Sequence, residues 1–150
     1  MTWIDDTTMI VRALIDDTGT TYTDNRLEDV ILVAAHMISK EFILDTEYTI
    51  DLSDASISSD PDTNFVNLVA LKSSMIILNA EAKALATSAV RVKDGPSEIE
   101  TGRGLNYLKA LADNAANQYA VARTTLLAGN MKAIMTPFTI QNVNIGEGFS

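Results

Sequence analysis

Few residues in this 150-residue chain could do acid–base or metal chemistry. His36 is the only histidine, and cysteine is absent. Without a second histidine or a cysteine a zinc site is not expected, and a Ser-His-Asp arrangement would have to use this one ring. At 100° per residue His36 lies opposite Leu27 on its predicted helix, on the face turned away from the core. We therefore expect a surface or interface histidine.

One acidic stretch has the spacing of a calcium-binding loop. Asp60, Asp62 and Asn64 stand at positions 1, 3 and 5 of such a loop. Position 6 would then be Phe65 where glycine is needed, and position 12 would be Leu71 where glutamate is needed. The segment therefore favours a proline-containing turn that caps the next helix.

The remaining candidate motifs also have plain structural interpretations. Asp5-Asp6 and Asp16-Asp17 flank a predicted helix, where solvated carboxylates are common. The "TGRG" segment, residues 101–104, lacks the Gly-Lys-Ser/Thr ending of a phosphate-binding loop and does not match the full dinucleotide-binding fingerprint, so it is interpreted as a hinge. The sequence predicts no catalytic residue, no cofactor and no metal site, and hence a protein that is not an enzyme.

Charge is distributed unevenly along the chain. The formal net charge is -9, with residues 1–62 at -11 (14 acidic against 3 basic side chains) and residues 63–150 at +2 (6 against 8). An acidic surface argues against gripping nucleic acid phosphates. The first residues lack the features of a signal peptide, and no run of 18 apolar residues occurs, so we expect a soluble protein without a membrane partner.

Apolar periodicity predicts a mainly α protein, a four-helix bundle in one domain. The helices are expected at about residues 5–17, 23–42, 64–87 and 105–127. Thr23 is expected to cap the second, and Gly129 to end the fourth. The inward face of the second helix would comprise Leu27, Val30, Ile31, Ala34, Ala35, Ile38 and Phe42. That of the fourth would comprise Leu105, Leu108, Ala112, Ala115, Tyr119, Ala122 and Leu126.

The third predicted helix is apolar nearly all round, which indicates burial on more than one side. In a domain of four helices, a neighbouring subunit could supply part of that cover. The alternative is that this is the central helix of a monomer.

Three segments alternate in the manner of strands. Residues 47–52 predict an extended arm, and residues 89–101, with the Asp94-Gly95 turn, predict a short β-hairpin. Residues 132–150 predict an extended C-terminal tail attached to a bundle domain of residues 1–131. An isolated two-stranded hairpin is marginal in water, so such segments need another surface to pack against.

These pieces together resemble the head-to-tail adaptor (connector) proteins of tailed bacteriophages. The resemblance covers about residues 10–140 and rests on "YTDNRLEDVILVAAHMISKEF", "YTIDLSDASISSDPDTNFVNLVALKSSMIILNAE", "VKDGPSEIET" and "TPFT". It implies a small helical bundle, made in the host bacterial cytoplasm, that assembles as a homo-oligomeric ring, commonly of twelve copies, in the virion neck. The ring would join the portal protein to the tail or the next neck protein and continue the DNA channel.

Under that resemblance the extended segments become candidate partner-binding elements, since an extended segment can add to a sheet or groove on another chain. The expected contact residues are Val90, Val92, Ile99, Ile134, Phe138, Ile140, Val143, Ile145 and Phe149. The acidic first part could line a channel through which DNA passes without specific binding. Alternatives are another neck or tail structural protein, such as a head-completion or tail-terminator protein, and, on weaker grounds, a small helical enzyme subunit.

Overall fold

The part of the chain that the structure describes contains four helices and one small antiparallel sheet. The computed structural model describes residues 2–17, 19, 21–41, 43–89 and 97–147, of which 88–89, 97–102 and 130–147 are described by their backbone alone. The helices are α1 (Trp3–Leu14), α2 (Asp24–Ser39), α3 (Thr63–Ala89) and α4 (Ser97–Glu147), and the strands are β1 (Ile50–Asp51) and β2 (Ser56–Ile57). The chain is mainly helical, as the sequence predicts.

A capping box starts α1 slightly earlier than its periodicity predicts. The Thr2 backbone N–H donates to Asp5 Oδ2 at 2.7 Å, and the Asp5 N–H donates back to Thr2 Oγ1 at 3.3 Å. The bonds from the Thr2 backbone and then from its side chain lower the pKa of Asp5. The two hydrogen bonds of the capping box give partners to backbone N–H groups at the helix start that would otherwise have none. They therefore fix where α1 begins.

An arginine fastens the end of α1 to the start of α2. Arg12 binds Asp17 through Nη1, while its Nη2 donates to the carbonyl of Tyr22 at 3.0 Å and to Asp24 Oδ1 at 2.7 Å. Thr23 accepts the N–H of Arg26, so the predicted cap of α2 is confirmed. The connection between the two helices is therefore fixed by charged hydrogen bonds as well as by packing.

The main core lies between α1, α2 and α3, and an aromatic group closes one end of it. Phe65 is fully buried, with its ring 4.3 Å from that of Tyr48 and 6.1 Å from that of Trp3. Asp62 accepts the N–H of Phe65 at 2.8 Å, and its own N–H donates to the Tyr48 hydroxyl at 3.1 Å. The turn predicted before α3 does cap that helix.

The predicted extended arm is half of a hairpin. Ile50 pairs with Ile57, and the ladder ends one residue later. Tyr48 and Ile50 are buried as their alternation suggests, whereas Leu52 is half exposed in the turn. Ala55 in that turn has φ 52°. The turn contains none of the Asn-Gly or Asp-Gly signals that identify hairpins in a sequence, which explains why the pairing was not predicted.

The hairpin predicted at residues 89–101 is replaced at both ends by helix. Ala89 still belongs to α3, and residues 97–101, including Ile99, belong to α4. Val90 and Val92 lie outside the described residues. Glu98 and Glu100 stand in the first turn of α4, where the helix dipole favours negative charge, and this competes with strand formation.

The extended C-terminal tail is likewise not confirmed, because α4 continues as a helix to Glu147. The expected contact residues Ile134, Phe138, Ile140, Val143 and Ile145 stand on this helix, and Phe149 lies outside the described residues. Alternation over a few residues is a weak signal: Ile134, Phe138 and Ile145 are also four and seven apart, a helical spacing.

Helix α4 packs antiparallel on α3 and extends past it. Gly104 lies beside Leu85, Ala112 and Ala115 pack against Leu78, and Tyr119 lies under Lys72. Continued in the same register, the start of α3 lies opposite about Leu127. Residues 128–147, roughly 30 Å of helix at about 1.5 Å per residue, therefore continue beyond the N-terminal end of α3.

Helix α3 is covered by the chain itself to a greater degree than its composition suggested. It packs against α1, α2 and α4, and no large apolar side chain among its described residues is exposed. By length and composition alone Thr63–Thr87 could cross a membrane, the one such helix in the described part of the chain. Core helices of soluble proteins pass the same test, and half of this window is buried within the fold.

Candidate interaction surface

Within the described residues no group of three or more His, Asp or Glu side chains is placed to hold a metal ion. His36 is half-buried rather than on the surface, and its Nδ1 atom is enclosed without a hydrogen-bond partner in the part of the chain that the structure describes.

The outer face of α4 carries exposed apolar side chains. Tyr107 is 58% exposed and Val121 is 66% exposed, and Leu127 lies near the end of the part packed on α3. Tyr107 and Val121 are 14 residues apart, which places them about 40° from each other around the helix. Both lie off the inward stripe that holds α4 on α3.

A shallow groove runs along this face around Val121. It has a volume of about 430 Å³ and is lined by Ala120, Val121, Thr124, Thr125 and Ala128. The hydroxyls of Thr124 and Thr125 each donate at 2.8 Å to the carbonyls of Ala120 and Val121. Because both hydroxyls are already paired within the helix, the groove presents a mainly apolar surface. We call Tyr107, Val121 and this groove the α4 face. Leu127 lies about 120° from Val121 around the helix and is not part of it.

The first two helices expose a different kind of surface. On α1, Met9 is 52% exposed and is preceded by the exposed carboxylates of Asp5 and Asp6. On α2, Val33 and Met37 are exposed one turn apart. Apolar side chains are thus present on both helices, and on α1 they are accompanied by negative charge.

The charge asymmetry of the sequence is also present in space. The described side chains of α4 include three basic residues, Arg103, Lys109 and Arg123, against one acidic residue, Asp113. On α1 the exposed carboxylates are Asp5 and Asp6, and Arg12, the one basic residue of that helix, is bound to Asp17 and Asp24. The described surfaces of α1 and α4 therefore differ in the sign of their charge.

A polar cluster holds α4 against the rest of the fold. Glu41, just after α2, accepts the Tyr119 hydroxyl at 2.7 Å and Arg123 Nε at 2.9 Å. Lys72 Nζ lies 3.8 Å from Glu41 Oε1 and 4.7 Å from the centre of the Tyr119 ring. Burial, followed by the hydrogen bond and charge of Glu41, raises the pKa of Tyr119. This cluster, the Glu41 cluster below, orients α4 and so positions the α4 face.

The contact residues predicted from the sequence were expected on extended strands. Those that the structure describes are helical. The prediction did not include Tyr107 and Val121, although both were recognisable as large apolar residues outside the predicted inward stripe of the fourth helix. No protein-family model, no curated protein and no solved structure matches the chain.

Proposed function

We propose that the chain is a structural subunit of the neck of a tailed bacteriophage. In this proposal it is a head-to-tail adaptor, a four-helix bundle protomer that forms a ring between the portal and the tail or the next neck protein. The ring contains several copies, twelve being the number that the resemblance implies. It has no catalytic role, and DNA passes through its channel without specific binding.

The observation that carries the proposal is the length of α4 relative to what it packs on. The part of α4 that packs on α3 ends opposite the first residues of α3, and residues 128–147 continue beyond that point. An isolated helix of that size gains most of its stability in water from packing of one face. Another chain can supply this packing, which is what an assembling connector requires.

The α4 face gives the same proposal a lateral contact. Exposed apolar side chains at the centre of a contact, with charged residues around it, are the arrangement found in protein interfaces. A contact between different faces of adjacent copies closes into a ring when the rotation between them permits.

The acidic surface of α1 suits a channel wall. Phosphates are repelled by exposed carboxylates, so DNA could slide past Asp5, Asp6 and Asp16 without being held. This assignment predicts that the purified chain does not retain duplex DNA at physiological salt.

The proposal is tested by locating the chain in virus particles. Antibodies against the purified chain should label the junction of head and tail in electron micrographs of the phage that encodes it. Cross-linking in the same particles should join the chain to the portal. Labelling elsewhere in the particle, or its absence from particles, would overturn the proposal. Cross-links to tail-tube protein but not to portal would favour a tail terminator instead.

A matched pair of variants tests the lateral contact. Val121→Glu places a charge in the middle of the α4 face, while Asn64→Glu adds the same charge at an exposed position on α3. Sedimentation of portal–adaptor assemblies should show loss of bound chain for Val121→Glu and wild-type loading for Asn64→Glu. Equal loading of both variants would contradict a role for the α4 face.

A further inference from the structure

A separate cavity lies between the first half of α2 and the second half of α3, away from the α4 face. Its volume is about 190 Å³. Most of its lining side chains are apolar, namely Leu27, Val30, Ile76, Ile77, Ala80 and Ala84. The other lining residues are Tyr22, Arg26 and Glu81. An engineered apolar cavity of roughly 150 Å³ holds one benzene molecule, so this space accepts a group of several carbon atoms.

The charged residue facing this cavity from α3 has no partner of opposite charge. Among the described residues no basic nitrogen lies within 4.0 Å of the Glu81 carboxylate, and no hydrogen bond to it is made. Burial, followed by the nearby charge of Asp17, raises the pKa of Glu81. Arg26 lines the same cavity from α2, but it forms no ion pair with Glu81. No described group therefore compensates either the negative charge of Glu81 or its partial removal from water.

We propose that this cavity binds a lysine side chain presented by another protein. Four methylene groups would lie along Val30, Ile76 and Ala80, and the ammonium would meet the Glu81 carboxylate, which has no cationic partner among the described residues. Long cationic side chains commonly bury an apolar stem in this way while the charged end meets a partner. This inference does not depend on the proposed place of the chain in a phage neck.

Charge complementarity selects this occupant over the other classes that could fill the space. An anionic group would lie against the Glu81 carboxylate, where burial already disfavours negative charge. A neutral apolar side chain would fill the volume and would desolvate Glu81 further without pairing it, which is costly. An alkylammonium contributes both apolar contact and a charge-assisted hydrogen bond.

The experiment uses n-butylammonium chloride, which has the carbon chain and charge of a lysine side chain. It is titrated into the ¹⁵N-labelled full-length chain while amide chemical shifts are recorded. We expect saturable shifts centred on Val30, Ala80 and Glu81. 1-Butanol has the carbon chain without the charge, and ammonium chloride has the charge without the chain. At equal concentrations each should bind much more weakly.

Two variants isolate the charge and the space. Glu81→Gln keeps the shape and should weaken n-butylammonium binding about tenfold, the contribution expected of a charge-assisted hydrogen bond. Glu47→Gln removes an exposed carboxylate elsewhere and should leave binding unchanged. Ala80→Leu should block the cavity while Glu81 stays charged, and it gives an independent answer should the Gln variant fold poorly.

The outcomes that overturn the inference are distinct. They are shifts spread over the acidic surface, equal binding of 1-butanol, and unchanged affinity in both cavity variants. A chain that binds n-butylammonium at this cavity but is absent from the virion neck would retain this inference and remove the proposed function. A chain found in the neck that does not bind the probe would do the reverse.

Discussion

The α1–α2–α3 core and the α3–α4 contact differ in the size and polarity of their buried side chains. The first contains the large fully buried side chains, among them Phe65, Leu27 and Ile38. The buried positions that α4 contributes beside Leu78 are Ala112 and Ala115, with leucines only partly covered around them. Tyr119 and the Glu41 cluster complete that contact. The first three helices therefore pack through large buried side chains, whereas α4 packs on α3 mainly through small ones and a polar cluster.

This difference has a consequence for local stability. Segments with few buried apolar contacts open at lower free energy than the rest of a domain. We therefore expect α4 to detach in part while α1, α2 and α3 remain packed. A helix that can be released in this way is suited to exchange its contacts for those of a partner.

The largest expected effect lies in the main core. Phe65→Ala removes the ring between Trp3 and Tyr48 and should reduce the free energy of unfolding by about 3–5 kcal/mol. Urea titration followed by far-ultraviolet circular dichroism measures this loss. Leu52→Ala, a truncation at a half-exposed position, is the control and should change stability by less than about 0.5 kcal/mol. A loss below about 1 kcal/mol for Phe65→Ala would show that this region is not the main core.

An intermediate effect is expected at the α4 attachment. Tyr119→Phe removes the hydroxyl that Glu41 accepts and leaves the ring in place, so it should cost about 1–2 kcal/mol. Hydrogen exchange should accelerate at α4 amides and remain slow in α2 and the first half of α3. Tyr107→Phe is the matched control, because its exposed hydroxyl contacts no described residue. If exchange accelerated equally in all four helices, the two regions would form a single cooperative unit.

The smallest effect is expected at Glu81, which lines the cavity between α2 and α3, and it depends on pH. The folded chain holds the Glu81 proton more tightly than the unfolded chain does, because burial and then Asp17 raise its pKa. The contribution of Glu81 to the free energy of unfolding therefore falls as pH rises through the usual pKa of 4.5 and then through the higher folded pKa. Glu81→Gln should melt higher by on the order of 1 °C at neutral pH.

That advantage should disappear once the solution is acidic enough to protonate Glu81 in both states. Melting curves of the variant and the wild-type chain across this range measure it. Glu47→Gln, at an exposed position, should show no such dependence. A variant that melts lower than wild type at neutral pH would mean that Glu81 has a stabilising partner in the folded chain.

Local signals in the sequence were sufficient for the first three helices and for the inward stripe of α4. Thr23 caps α2 as predicted, and Leu27, Ile31 and Ile38 are buried together because their spacing places them on one face. These features depend on residues within one or two turns of each other, which is the range over which periodicity and capping act.

The parts that could not be predicted depend on competition or on distant contacts. Gly129 and Pro137 are residues that usually end helices, yet α4 continues through both. Glu41 and Tyr119 are 78 positions apart, and no local pattern connects them. The cavity at Glu81 arises from the way α2 and α3 approach each other, so neither helix alone indicates it.

Trp3 is the only tryptophan in the chain, and it lies against Phe65 at the closed end of the core. Its emission spectrum therefore reports on the surroundings of α1 and the start of α3. Circular dichroism, by contrast, is dominated by helical content, of which α4 supplies the largest share. The protein thus carries a built-in pair of optical signals, and their denaturation midpoints would separate if the long helix melted first.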